Sequence, residues 1–145
     1  MNEERVQRYK EKEEYFAKLI GKLKEWTKDL NEKEFITKLT LREQFSIYHA
    51  YQIILEIITD LTAMIIKDLK VIPKDDYINL DVLAEKGIIS KDLSYNLKQA
   101  NGLRNRIVHS YNSLDEEIAF KSIQKYLEEL EKYKEAIDSW LQKSV

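Results

Sequence analysis

The residues of this chain best suited to chemistry crowd into one run, Arg104-Asn105-Arg106-Ile107-Val108-His109-Ser110-Tyr111. Arginine carries a planar fork of donors that matches a phosphate and keeps its charge at any physiological pH. Histidine moves a proton near neutral pH. Together they suit cleavage of RNA without a metal. The imidazole of His109 takes the proton of a ribose 2′-OH, and the guanidinium of Arg104 stabilises the charge on a phosphorane-like transition state. Arg106 is either a phosphate contact or a solvated cation at a helix end. Tyr111 follows the helix, where its phenol can accept a modification or pack its ring on the protein.

Other chemistries lack their residues. Two isolated histidines, His49 and His109, make no metal cluster, and the absence of cysteine removes thiolate sites and disulfides. No glycine loop cradles phosphate, and no glycine-flanked serine offers an acyl-transfer nucleophile. The expectation is a site with no metal and no cofactor. His49 is read as a packed or interface residue.

The elements must place these groups. Three glycines and one proline in 145 residues argue for long, uninterrupted helices. The first is expected from about Glu4 to Lys28, with Tyr9, Phe16, Ile20 and Leu23 on one face. Asn31 and Glu34 form a capping box that opens a second helix running to about Lys70. That helix is apolar on two faces, so it is buried on two sides. After Pro73 and a loop to Asn79, a short helix spans about Leu80 to Lys86 and ends at Gly87. Ser90 caps a fourth helix to Val108, and a box from Ser113 to Glu116 opens the last. The reading is all-α: one domain, residues 1–145, as an antiparallel bundle of about five helices.

On the fourth helix the apolar stripe is Leu93, Leu97, Ala100, Leu103 and Ile107, and Arg104 falls within it. A cation there needs a carboxylate, a phosphate or a second protein surface. On an ideal helix Arg104 and His109 lie about 140° apart, so they do not face each other. Either the helix ends near Val108 and re-aims His109, or Arg104 meets the histidine of a second chain. One histidine cannot easily be both base and acid, and two chains about a two-fold axis supply two. Gly102 either permits close approach at such a seam or marks a weak spot.

Net charge is −2. Residues 88–111 carry four cations against Asp92 alone, so a polyanion has to meet that segment. The acidic, polar start lacks a secretory pattern, and Ile53 to Ile66 is interrupted by Glu56 and Asp60, too short and too charged to span a bilayer. A cytoplasmic protein without a membrane partner is expected.

The run Arg104 to Tyr111 resembles the R-x4-H-x-Y motif of the HepT-like toxins of the HEPN superfamily. Arg104, His109 and Tyr111 fall on its fixed positions, and Asn105 on the polar position after the arginine. The likeness extends through Pro73, Tyr77, Leu83, Gly87 to Ser90, Asp115 and the last helix. It implies a helical bundle that dimerises with its motifs facing. It implies a metal-independent ribonuclease toxin with Arg104 and His109 catalytic, beside which Asn105 and Arg106 are read as supporting residues or RNA-phosphate contacts. It implies an antitoxin partner, a minimal nucleotidyltransferase of the MntA type, which transfers AMP onto Tyr111. The alternative carried by the same resemblance is a non-catalytic, substrate-binding partner subunit of such a nucleotidyltransferase.

Overall fold

The computed structural model describes all 145 residues as six helices without strands. α1 spans Glu3–Thr27, α2 Glu32–Lys38, α3 Leu41–Asp68, α4 Asp76–Glu85, α5 Lys91–Val108 and α6 Glu116–Ser144. The four long helices close a ring in the order α1, α3, α5, α6, with α2 laid on α6 and α4 against α3 and α5. α1 runs antiparallel to α3, because Arg5 and Tyr9 both reach Asp68 at the far end of α3. It runs antiparallel to α6 as well, where Tyr9 meets Trp140 and Phe16 meets Tyr133.

α3 is the central element. It buries residues on both faces, from Ile47 and Tyr48 to Ile65 and Ile66. Burying a large aliphatic or aromatic side chain contributes roughly 1.5–3 kcal/mol, so this helix dominates the core. It is long and apolar enough to cross a membrane by length and composition, contrary to the expectation from its charges. Yet 56% of its most apolar window is buried inside the bundle, which accounts for that composition.

Three boundaries differ from the sequence reading. The expected second helix breaks in two at Leu39, because Thr40 forms a second capping box with Glu43 and restarts the chain as α3. The side chain of Gln44 then donates to the carbonyl of Phe35 in α2, which satisfies a carbonyl that the break leaves without a helical partner. α4 begins at Asp76, earlier than expected, since Asp75 accepts from the amide of Ile78 and caps it. The expected box from Ser113 does not form. Ser113 sits at φ 66, which turns the chain, and the cap is Asp115, whose Oδ1 accepts from Ile118 N at 3.1 Å.

In α6 the core positions near the start are Ala119 and Phe120, and Ile118 points outward, 62% exposed. Gly87 takes φ +74 after α4, as its place demands.

Candidate functional site

α5 carries the site. Ser90 starts it by accepting from Leu93 N at 3.0 Å. Leu93, Leu97, Ala100, Leu103 and Ile107 are buried and fix its rotation. Its depth is set by Tyr51, whose hydroxyl donates to the Ala100 carbonyl at 2.6 Å. Burial pushes the Tyr51 phenol well above its ordinary range, so it stays a donor.

Arg104 then emerges at the edge of the stripe, its side chain 25% exposed. Its Nη2 donates to Glu56 Oε1 at 3.1 Å, and its Nη1 donates to Asn105 Oδ1 at 3.1 Å. Its Nε is buried without a partner. Glu56 also accepts from Gln52 Nε2 at 3.2 Å. Burial pushes the Glu56 carboxyl up, but the hydrogen bonds from Gln52 and Arg104 outweigh it and hold the group below the usual carboxylate range. Glu56 is the carboxylate that an arginine in an apolar stripe requires, and sequence reasoning did not pair the two. The available signal was an acid inside the most apolar stretch of a helix buried on two sides.

α5 ends at Val108. His109 is its C-cap, at φ −101 and ψ 35, with its amide donating to the Asn105 carbonyl at 3.2 Å. Leaving the helical path lets the imidazole turn toward Tyr111. His109 Nδ1 lies 3.3 Å from the Tyr111 hydroxyl, with the rings edge-on. Tyr111 is 79% exposed, so its phenol is open to a modifying enzyme.

A pocket of about 570 Å³ opens where α5 gives way to α6. Asn105, Arg106, His109, Asn112, Asp115 and Ile118 are among the residues that line it. The structure therefore gathers His109, Asn105 and Arg106 at one opening and sets Tyr111 beside His109. No hydrogen bond joins Arg104 and His109; Arg104 is turned toward α3, where it holds Glu56, and Asn105 links it to the pocket.

Two further residues lie near this region. A Cβ on Gly102 would lie 3.8 Å from Arg106 Nη1 and 3.9 Å from Tyr77 Oη, ordinary contact distances, so nothing within this chain demands glycine there. His49, read as a packed or interface residue, is exposed on α3 of the single chain and lies within electrostatic reach of Glu56.

The family model of HepT-like ribonucleases matches residues 16–137, most of the chain and the whole of the site. The chain belongs to the HepT-like ribonuclease family. Its relatives include an RNase-named protein of Archaeoglobus fulgidus, 33% identical over 139 residues, which cover 96% of this chain and 97% of that one. The mRNA nuclease HepT of Shewanella oneidensis is 36% identical over 66 residues, 46% of this chain and 50% of that protein. Among solved structures, the tri-AMPylated Shewanella oneidensis HEPN toxin in complex with MNT antitoxin superposes with a TM-score of 0.79 at 26% identity, over 96% of this chain and 99% of that one. The fold described above is thus shared with that toxin over nearly the whole of both chains.

Proposed function

We propose that this chain is the toxin of a toxin–antitoxin pair: a metal-independent endoribonuclease of the cytoplasm, active as a homodimer. An MntA-type nucleotidyltransferase antitoxin silences it by transferring AMP onto Tyr111. The observation that carries this reading is the end of α5, where His109 lines an open pocket and touches the exposed hydroxyl of Tyr111.

In the proposed cleavage, neutral His109 removes the proton of a ribose 2′-OH. The 2′-oxygen bonds to the adjacent phosphorus, and the bond from phosphorus to the 5′-oxygen breaks. The 5′-oxygen takes a proton from His109 of the partner subunit, which leaves a 2′,3′-cyclic phosphate and a free 5′-hydroxyl. Arg104 engages only two of its five N–H groups and so retains donors for the charge developing on phosphorus. Asn105 holds Arg104, and Arg106 offers a second cation to the RNA backbone.

A second copy is favoured by a stripe on α3 that is exposed at Phe45 and His49 and half-buried at Gln52 and Glu56. Phe45, His49, Gln52 and Glu56 follow one another at helical spacing, with Phe45 57% exposed and Glu56 attached to Arg104. Packing two such stripes about a two-fold axis covers the phenyl rings and draws the two α5 ends toward one cleft.

In the proposed silencing, the Tyr111 oxygen bonds to the α-phosphorus of ATP, pyrophosphate leaves, and the phenol proton passes to a base. The new phosphate adds negative charge and bulk beside His109, in the space an RNA phosphate needs.

The decisive experiment incubates the purified protein with RNA in chelator, then repeats it with His109→Ala and with protein pretreated with such an antitoxin and ATP. Cleavage by the untreated protein alone, with a mass increase on Tyr111 after treatment, supports the reading. Unchanged cleavage by His109→Ala removes this histidine from the mechanism. A stable complex with the nucleotidyltransferase and no cleavage at any salt concentration would establish the substrate-binding subunit instead.

A further inference from the structure

We infer that the pocket between α5 and α6 is a base-recognition subsite: it takes the nucleoside beside the cleaved phosphodiester and favours bases bearing an exocyclic amino group over uracil. This rests on the ribonuclease reading above and adds to it a direction of binding and a residue that sets specificity.

Size comes first. A volume of about 570 Å³ falls in the range of pockets that enclose a nucleotide-sized ligand. The walls differ in chemistry from one end to the other. His109 and Arg106 stand at the α5 end, Asp115 and Ile118 at the α6 end, with Leu103 and Leu114 also lining the space.

The charges fix the orientation. A helix N-terminus ordinarily attracts anions. At α6 that place is taken by the carboxylate of Asp115, which caps the helix through Oδ1. A phosphate is repelled there and must lie at the His109 and Arg106 end, where the reaction also requires it. The base is left with the α6 end. Ile118 is an aliphatic side chain kept 62% exposed on a helix whose core positions are filled by Ala119 and Phe120. At the pocket wall it offers the apolar surface on which the face of a base can rest.

Selectivity follows from lone pairs. Asp115 spends Oδ1 on the Ile118 amide, and no other hydrogen bond engages its carboxylate. Oδ2 is an acceptor only, so it pairs with the amino group of adenine, cytosine or guanine. Uracil has no amino group, and its one edge donor, the N3 imide N–H, is flanked by two carbonyl oxygens that an acceptor-only carboxylate disfavours. One such contact discriminates by about tenfold.

The test uses short RNA oligonucleotides identical except for one base beside a fixed cleavage site, together with 2′-O-methyl copies that cannot be cleaved. The variant is Asp115→Ser, because serine also caps a helix and so keeps the start of α6. Circular dichroism and melting verify its fold. The wild type is expected to cleave and bind the amino-bearing substrates about tenfold better than the uracil one, and the ratio is expected to fall to about one in Asp115→Ser. Ile118→Ala, a change at an exposed position, is expected to weaken binding of every oligonucleotide while leaving the ratio. Cleavage with no base preference, or with a preference that Asp115→Ser retains, overturns the subsite and leaves the ribonuclease reading intact. Base-selective binding that Asp115→Ser abolishes, without cleavage, supports the subsite and overturns catalysis. Neither binding nor cleavage overturns both.

Discussion

Arg104 stands between two anions. Glu56 holds it at 3.1 Å in the free chain, and the proposed reaction needs the same guanidinium on phosphate. Glu56 is held below the usual carboxylate range, so it is ionised throughout the physiological pH window and competes with RNA there. Its pairing with Arg104 is present above the ordinary carboxylate value of 4.5 and is lost as pH falls below it. Replacing Glu56 by Gln removes the competing charge and keeps the shape. The expected result is tighter binding of an uncleavable RNA at neutral pH, read by fluorescence anisotropy. Weaker binding would mean that the carboxylate orients Arg104 and does not compete for it. At His109 the expectation is larger: His109→Ala should slow cleavage by about 10²–10⁴-fold, the usual contribution of a positioned acid–base group, in a single-turnover RNA assay. Tyr111→Phe should stay unmodified by the antitoxin and ATP and should escape silencing, which intact-mass measurement and the same RNA assay report together.

At the scale of elements, caps and one buried carboxyl decide stability. Thr40 restarts the chain after α2 through a reciprocal capping box, and its hydroxyl accepts from Glu43 N at 3.1 Å. Thr40→Ala should cost about 1 kcal/mol and lower Tm by about 2–4 °C in calorimetry. α1 and α6 meet at Glu13, which is buried with Oε1 unpartnered. Burial first, and then the neighbouring Asp138 carboxylate, raise the Glu13 carboxyl to about 8, although Lys134 works against them. Such a group is protonated in the folded protein while the unfolded chain ionises. The folded state is therefore favoured most below about 4.5, and this contribution is lost as pH rises through about 8. Glu13→Gln removes the titration. Its unfolding midpoint in urea should vary less with pH than that of the wild type across this window, with the advantage of the variant greatest at the alkaline end. Equal pH profiles for the two proteins would contradict the assignment.

The whole molecule presents its reactive groups at the edge of a ring of four helices, so its activity is a question of what packs against that edge. Phe45 is exposed on the face of α3 that also bears the half-buried Glu56. Phe45→Lys should turn a dimer into a monomer in sedimentation and abolish cleavage, with Tm no lower than that of the wild type beyond the loss of assembly. A monomeric wild type would remove the shared cleft from the proposal. The overall charge of −2 supplies no general attraction for RNA. Binding depends on the cations of residues 88–111, and its affinity should fall with salt in proportion to the few phosphates they reach.

The sequence by itself determined the helical class, the limits of α5, the caps at Ser90 and Asn31, the left-handed Gly87 and the crowding of Arg104, His109 and Tyr111 into one segment. These are local properties: periodicity, caps and turns act over a few residues and can be read along the chain. It also required an anion for Arg104, since a charge in an apolar stripe cannot stay unpaired. Only the tertiary structure decided that Glu56 provides it, that Asp115 and not Ser113 starts α6, and that Ile118 turns outward at a pocket. Each of those outcomes depends on which helix lies beside which, or on how a turn is resolved, and contacts between residues 48 positions apart leave no periodic trace in either segment.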